Sequence, residues 1–243
     1  MRLDVALARR GLVRSRSQAR ALIDAGCVRV GEQVVRKAAF EVEEASDLSV
    51  EADDWVSRAA HKLIGALDQS GLSVPPRVLD AGASTGGFTQ VLLHRGARRV
   101  YAFDVGHDQL VPLLRDDPRV VVREGLNLRD LVLADVEDEP VDLVVADVSF
   151  ISLTLLLGPL FAVLSREGVA LLMVKPQFEV GREALGSGGV VRDEGSRLAA
   201  VQAVIASASA LGWRPTWQAP SQLPGPAGNR EYFVALRFVG TDG

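Results

Sequence analysis

The chain has 243 residues, of which 48% are hydrophobic and 24% are charged, and its formal net charge at pH 7 is −4. This composition excludes an intrinsically disordered chain, which would bury too little apolar surface to offset the entropy lost on ordering. Because Cys27 is the only cysteine in the sequence, an internal disulfide and a cysteine-based zinc site are excluded as well.

Basic residues are concentrated at the N-terminus. The first 40 residues carry nine basic and three acidic side chains, a local net charge of +6 that leaves −10 for residues 41–243. This asymmetry predicts two modules with different partners, of which the basic one suits a nucleic acid. On charge alone, the alternative is that the arginines only keep two short helices in solution.

Two short helices and a hairpin are predicted over the first 50 residues. Apolar residues recur at helical spacing from Leu3, and Ser15 or Ser17 can cap a second helix that ends near Gly26. Residues 28–35 have the pattern of a small hairpin. A segment of this length buries only a modest core, so we expect it to bind a ligand rather than to catalyse a reaction.

The N-terminal segment resembles the alpha-L RNA-binding motif, which pseudouridine synthases share with a small-subunit ribosomal protein. The resemblance is carried by a Leu-Asp pair near the start, by Gly11-Leu-Val-Arg-Ser-Arg16 and by Gly26-Cys-Val-Arg-Val-Gly31. It implies an RNA-binding domain over residues 1–52 and a linker at 53–60, with basic side chains on RNA phosphates. The expected RNA contacts are Arg2, Arg14, Arg16, Arg20, Lys37 and Arg58.

From residue 77 onward, short apolar segments alternate with helical ones, which predicts a parallel sheet covered by helices on both faces. The predicted strands are 77–80, 100–103, 120–122, 141–146 and 168–174, with a last hairpin-like pair at 215–218 and 232–238. Helices are predicted from Phe88 and over 107–115, 151–164 and 192–211. Asp104, Asp147 and Lys175 follow strands at their carboxyl ends, where such sheets bind ligands.

A loop of small residues, Ala81-Gly-Ala-Ser-Thr-Gly-Gly87, follows the strand at 77–80. Small residues allow backbone N–H groups to approach a ligand, and the N-terminus of the next helix favours negative charge. The loop matches neither a dinucleotide fingerprint nor a Walker loop, and a tight turn is an equal alternative. Asp104 can bind a ribose diol, although a helix-capping aspartate is the common alternative. Together the two features favour a cofactor that contains a nucleoside.

The loop and Asp104 resemble motifs I and II of S-adenosylmethionine-dependent methyltransferases. Further segments follow in matching order, namely Trp55-Val-Ser-Arg-Ala-Ala-His-Lys62, Ala146-Asp-Val-Ser-Phe150, Val174-Lys-Pro-Gln-Phe178 and Asn229-Arg-Glu-Tyr-Phe233. On these residues the chain is identified as a member of the TlyA family, ribosomal RNA methyltransferases also known as haemolysins. The implied fold is α/β: a Rossmann-like S-adenosylmethionine-dependent methyltransferase sheet, similar to FtsJ, over residues 61–243, with a small N-terminal α+β RNA-binding domain.

The resemblance also implies site residues. Its catalytic tetrad maps to Lys62, Asp147, Lys175 and Glu231. S-adenosyl-L-methionine would be the cofactor, and its expected contacts are Asp80, Gly82, Ala83, Ser84, Thr85, Gly86, Gly87, Phe88, Asp104 and Asn127. For Asn127, a solvated loop is an equal alternative. We expect no metal, since His61, His94 and His107 are scattered along the sequence.

The chemistry of ribose methylation explains why the site would need these four residues. A ribose 2′-hydroxyl is a weak nucleophile, so catalysis must align it with the methyl group and accept its proton. A lysine can help if its surroundings leave part of its population neutral. We expect Lys175 to be the base or to orient the hydroxyl, Asp147 to hold it, and Lys62 and Glu231 to position the ribose.

Phe150 and Phe178 are candidates to stack on a base brought into the site, since a flipped nucleotide needs an apolar partner. For Phe150, packing in the core is an equal alternative.

Two other functions remain as alternatives. A membrane-active haemolysin would need a secretion signal and a membrane segment, but charged residues interrupt the N-terminus. The longest apolar stretch, near 153–164, is also shorter than the ~18 residues that span a bilayer. An RNA-binding protein without catalysis is disfavoured, because the tetrad and the cofactor loop are intact.

The resemblance implies a cytidine ribose in large-subunit RNA as target, and some members also modify small-subunit RNA. Members with two targets carry short terminal extensions, whereas this chain starts at Arg2-Leu-Asp and ends soon after Phe238. We therefore expect large-subunit RNA alone as substrate. We expect a cytoplasmic protein that is a monomer when free, with the ribosomal subunit as partner and no membrane.

Overall fold

A computed structural model describes the chain over residues 1–13, 15–50, 55–181, 185–186, 188–225 and 228–240. The chain divides into two compact units, Met1–Asp54 and Trp55–Gly243. Residues 55–60, which the sequence assigned to a linker, group with the second unit.

The first unit packs two helices against a small antiparallel sheet. Its elements are α1 (Leu3–Arg9), α2 (Arg16–Ala25), β1 (Val28–Val30), β2 (Gln33–Val34) and β3 (Leu48–Val50), with strand order β2-β1-β3. The cap of α2 is Ser15, whose Oγ accepts the N–H of Gln18 at 3.2 Å, and Gly26 ends the helix with a left-handed φ of 81°. The predicted helices and hairpin are confirmed, whereas β3 was not predicted.

The second unit contains a sheet of seven strands in the order β6-β5-β4-β7-β8-β10-β9. Its elements are α3 (Ala59–Ser70), β4 (Arg77–Ala81), α4 (Gly87–His94), β5 (Arg99–Phe103), α5 (Pro112–Arg115), β6 (Val120–Arg123), β7 (Val141–Ala146), α6 (Leu157–Ala162), β8 (Leu164–Val174), α7 (Pro176–Glu179), α8 (Glu194–Ala210), β9 (Trp213–Pro220) and β10 (Tyr232–Phe238). Strands β4 to β8 pair in parallel, and β10 and β9 are antiparallel additions. The predicted α/β fold class is confirmed.

Two predicted helices are shorter than expected. Only Pro112–Arg115 of the segment 107–115 is helical, because the Glu124 carboxylate accepts the N–H groups of residues 108–110 and holds them in a loop. In the segment 151–164, Ser152 caps a short 3₁₀ turn, and α6 begins only at Leu157.

Alternate strand residues face opposite sides of the sheet, and helices cover both faces. Leu79 and Tyr101 belong to the hydrophobic cluster that includes α6 and α8, whereas their neighbours Val78 and Val100 belong to the one that includes α3 and α4. Burying one such aliphatic side chain contributes ~1.5–3 kcal/mol. The strand ends at the sheet edge are therefore held between two packed layers.

Candidate active site

The carboxyl ends of the central parallel strands lie side by side at one edge of the second sheet. Ala81 is in register with Phe103 on one side and with Ala146 on the other. Positions 82, 104 and 147, which follow directly, are therefore neighbours. The chain order reverses between β4 and β7, and at such a point a crevice opens outside the strand ends.

Lys175, the residue after β8, is buried next to Asp147. Its Nζ lies 2.6 Å from Asp147 Oδ1 as an ion pair, at an angle that makes no hydrogen bond. The same Nζ donates a hydrogen bond of 2.7 Å to Ser149 Oγ. The lysine therefore has two oxygen partners on the segment that follows β7, of which Ser149 was not predicted.

Lys62 and Glu231 form the second buried pair. Lys62, on α3, is 9% exposed and Glu231, just before β10, is 1% exposed. Lys62 Nζ donates a hydrogen bond of 2.5 Å to Glu231 Oε2. Because Tyr232 pairs with Val174, Glu231 and Lys175 occupy the next positions on neighbouring strands. The tetrad residues predicted from the family resemblance thus lie at one end of the sheet as two lysine–carboxylate pairs.

The small-residue loop crosses the same edge of the sheet. Gly82 has a φ of 88°, and a Cβ there would lie 2.8 Å from the carbonyl oxygen of Asp147. Only glycine allows the loop to pass this close to the end of β7. Ala83 is buried and donates its N–H to the carbonyl of Phe103, whereas Thr85 is half-buried. Gly86 and Gly87 lead directly into α4, whose N-terminus favours an anionic or polar ligand group.

Asp104 connects this loop to the end of β5. Its Oδ2 accepts the N–H of Ser84 at 2.8 Å, and its Oδ1 accepts the N–H of Gly106 at 2.7 Å. A carboxylate has about four acceptor positions, so it can still accept two hydroxyl donors. Asn127 lies on the adjoining segment and caps a 3₁₀ turn through the N–H of Arg129. The side-chain oxygen of Asn127 is therefore occupied by this capping hydrogen bond.

Asp80 is fully buried near the end of β4. Its Oδ2 accepts the Thr89 hydroxyl at 2.6 Å, whereas its Oδ1 has no hydrogen-bond partner among the described residues. Burial raises the pKa of Asp80 to about 7, and the neighbouring charges of Asp147 and Asp104 act in the same direction. An unpaired buried acceptor beside the glycine loop fits a cationic ligand group.

The aromatic candidates differ in exposure. Phe88 is 2% exposed and its ring stacks on Phe233, so only its backbone can face a ligand. Phe150 is 91% exposed, which excludes the core-packing alternative. It has a left-handed φ of 65°, a strained conformation for a bulky residue, and its ring lies 5.2 Å from that of Phe178.

Glu179 fixes the loop that carries Phe150 and was not predicted. Its carboxylate accepts the Ser152 hydroxyl at 2.6 Å and the N–H of Leu153 at 2.8 Å. Burial raises the pKa of Glu179. The only sequence signal was its position four residues after Lys175.

Two family models match the chain. The FtsJ-like methyltransferase model covers residues 55–238, and the S4 domain model covers residues 1–48. The 16S/23S rRNA (cytidine-2′-O)-methyltransferase TlyA of Mycobacterium tuberculosis is 51% identical over 97% of this chain and 89% of its own length. The chain belongs to the TlyA family of FtsJ-like methyltransferases. The family expected from the sequence motifs is therefore confirmed.

Two further similarities extend this result. The 23S rRNA (cytidine-2′-O)-methyltransferase TlyA of Campylobacter jejuni is 36% identical over 76% of this chain and 72% of its own length. A solved structure from Streptococcus thermophilus, described as a candidate hemolysin, is 36% identical with a TM-score of 0.78. It covers 99% of this chain, which in turn covers 89% of that structure.

Three of the expected RNA contacts of this TlyA family member gather around one acidic residue. Arg2, Arg16 and Arg20 all contact Asp4, at 3.0, 3.2 and 3.2 Å. Lys37 is exposed in the first unit, and Arg58 is exposed at the start of α3 in the second. Arg14 lies outside the described residues.

Within the described ranges, no group of three or more histidine, cysteine or acidic side chains is arranged to hold a metal ion. In the same part of the chain, no helix is both long and apolar enough to cross a membrane.

Proposed function

We propose that the chain transfers a methyl group from S-adenosyl-L-methionine to the 2′-hydroxyl of a cytidine in ribosomal RNA. The observation that carries the proposal is the two buried lysine–carboxylate pairs, Lys175–Asp147 and Lys62–Glu231, at the strand ends beside the glycine loop. The relatives from Mycobacterium tuberculosis and Campylobacter jejuni are both named for cytidine-2′-O methylation of rRNA.

The residues around the loop fit such a cofactor. When bound, S-adenosyl-L-methionine would supply an electrophilic methyl group on a sulfonium. Asp104 retains acceptor positions for the two hydroxyls of a ribose, and the unpaired Oδ1 of Asp80 suits an ammonium group. Backbone N–H groups at the start of α4 suit the negative end of the ligand.

Lys175 orients the ribose hydroxyl and accepts its proton. The ion pair with Asp147 starts as an ammonium and a carboxylate, so Lys175 first releases one proton to solvent. The resulting amine has two N–H bonds and one lone pair. Ser149 accepts one N–H and Asp147 attracts the other, which turns the lone pair toward the third direction, where the 2′-hydroxyl would lie. The proton then moves from the ribose oxygen to Lys175 Nζ as that oxygen becomes nucleophilic. Lys62, held by Glu231, positions the ribose from α3.

The N-terminal unit would hold the RNA through arginines on phosphates. Both named relatives act on 23S rRNA, so we propose large-subunit RNA as the substrate and the ribosomal subunit as the partner. Phe150 and Phe178 offer a surface on which the target base can stack. We expect the enzyme to be cytoplasmic and a monomer when free.

Transfer of labelled methyl groups tests the proposal. Purified protein should label unmodified 23S rRNA, and mapping should show a 2′-O-methyl group on a cytidine. Lys175→Ala should abolish labelling, whereas the exposed Asp142→Asn should leave it unchanged. Liposome leakage without methyl transfer would overturn the proposal and favour a membrane activity; RNA binding without transfer would favour a protein that only binds.

A further inference from the structure

Asp4 is a fully buried carboxylate in the first turn of α1. Arg2 reaches it with Nε at 3.0 Å from Oδ1 and with Nη2 at 3.3 Å from Oδ2. Arg16 Nη2 and Arg20 Nε both lie 3.2 Å from Oδ2. A single acidic side chain therefore gathers arginines from two elements, the start of α1 and one face of α2.

The arginines are not buried with it. The Arg2 side chain is 44% exposed, and those of Arg16 and Arg20 are each 55% exposed. A guanidinium carries five N–H donors, so each of the three retains donors that face solvent. The hydrogen bond from Arg2 holds the pKa of Asp4 well below its usual range, and Arg16 and Arg20 act in the same direction.

The charges of this cluster do not cancel. Three guanidiniums around one carboxylate leave a net charge of +2, and the excess cations repel one another. An anion with several acceptor oxygens relieves this repulsion and can accept hydrogen bonds from more than one guanidinium. A phosphate has these properties, and a cluster already held in place loses less side-chain freedom on binding.

We propose that Asp4 is a positioning residue that fixes Arg2, Arg16 and Arg20 as one preformed site for an RNA phosphate. The proposal rests on the proposed function, in which the first unit binds ribosomal RNA. Asp4 itself does not touch the RNA; it acts through the arginines.

The direction in which one substitution changes the affinity for RNA separates a positioning role from a simple effect of charge. Asp4→Asn removes a negative charge near the phosphates, and long-range electrostatics alone predicts tighter RNA binding. Positioning predicts weaker binding, because the three arginines lose their common anchor. Asp24→Asn, at an exposed residue of α2, removes the same charge without touching the cluster and is the matched control.

The experiment measures the Kd of the full chain for transcribed 23S ribosomal RNA over a series of salt concentrations. We expect Asp4→Asn to weaken binding about tenfold. The slope of log K against log salt should become shallower by ~0.7–0.9, the contribution of one phosphate contact. Asp24→Asn should bind as tightly as the parent or slightly tighter. Asp4→Glu, which keeps the charge, should recover part of the loss. If Asp4 served only to stabilise the fold, folded Asp4→Asn protein would bind RNA with the same slope of log K against log salt as the parent. That result would overturn the proposal.

A second measurement keeps Asp4 in place, in case Asp4→Asn fails to fold. Arg16→Gln, Arg20→Gln and the double variant form a cycle that measures how the two arginines are coupled in RNA binding. One shared site predicts that the double variant loses much less than the product of the single losses. Independent, multiplicative losses would overturn the proposal, as would an Asp4→Asn protein that binds as tightly as Asp24→Asn. A parent protein that does not bind the RNA would instead overturn the proposed function.

Discussion

Lys62 and Glu231 lie 169 positions apart in the sequence, yet Lys62 Nζ donates a hydrogen bond of 2.5 Å to Glu231 Oε2 in a buried setting. The contact ties α3, at the beginning of the second unit, to the residue before its last strand. A buried ion pair of this kind is weak evidence for stability, because removing two charges from water offsets most of their attraction. Its position beside Lys175 argues instead that the pair serves the reaction.

The Lys62–Glu231 pair should therefore affect stability and activity differently. Lys62→Met leaves Glu231 as an unpaired buried charge and should lower the free energy of unfolding by ~3–5 kcal/mol. The double variant Lys62→Met/Glu231→Leu removes both charges and should recover most of this loss, while methyl transfer stays abolished. Urea unfolding and labelled-methyl assays on both variants check the prediction. An active double variant would contradict a role for the pair in the reaction.

Lys175 should be required as an amine that can lose its proton. Lys175→Ala should lower kcat by ~10²–10⁴-fold, the usual contribution of a general base. Lys175→Arg is the informative companion, since arginine keeps the positive charge but does not deprotonate in proteins. We expect it to be as inactive as Lys175→Ala in single-turnover assays. Substantial activity in the arginine variant would show that charge alone suffices at this position.

The lysine content is a sequence signal that supports this assignment. The chain has three lysines against 24 arginines, and two of those three lysines, Lys62 and Lys175, are buried in the candidate site. Arginine serves for exposed positive charge, whereas a titratable amine requires lysine. The ratio alone narrows the lysine candidates to three, and burial then separates Lys62 and Lys175 from the exposed Lys37.

The sequence pattern predicted the strands of the sheet but not the contacts between residues that are distant in sequence. Apolar alternation identified the parallel strands, because a sheet buried on both faces needs continuous apolar segments. The pairing of Lys62 with Glu231 depends on strand order, which periodicity does not encode. Asp4 was recognised only as part of the Leu-Asp pair of the N-terminal motif, and its burial depends on α2 folding over it. The helix predicted at 107–115 was wrong over its first half, because the side chain of Glu124, from another segment, competes for its N–H groups.

Ser149 should contribute by orienting the amine of Lys175. Ser149→Ala removes the acceptor of the 2.7 Å hydrogen bond and lets the lone pair of the amine rotate. We expect kcat to fall about tenfold, the equivalent of one hydrogen bond, with the KM for RNA unchanged. Ser165→Ala, near the start of β8, is the matched control and should behave like the parent. An equal loss in both variants would exclude a specific role for Ser149.

Asp80 should make the protein less stable as the pH rises. Its pKa is raised from 3.8 to about 7 in the folded chain, so above ~pH 4 the unfolded chain loses this proton while the folded chain keeps it. The contribution of Asp80 to stability therefore falls between ~pH 4 and ~pH 7 and is constant above that window. Asp80→Asn should remove this fall, seen as a stability difference from the parent that grows with pH in urea unfolding. The exposed Asp142→Asn should differ from the parent by the same amount at every pH. A difference between Asp80→Asn and the parent that also stayed constant between ~pH 4 and ~pH 7 would contradict the prediction.

Phe150 should matter for RNA and not for folding. It is 91% exposed with a φ of 65°, so its side chain stabilises little of the free protein. Stacking of a base on an aromatic ring is worth ~1–3 kcal/mol, which predicts at least a fivefold loss of kcat/KM for Phe150→Ala. Phe150→Tyr should keep the activity and Phe150→Leu should not, because leucine offers an apolar surface without a π-face. Steady-state methylation of 23S rRNA, with the Tm of each variant measured in parallel, separates these outcomes. Full activity of Phe150→Leu would mean that the base needs only an apolar contact at this position.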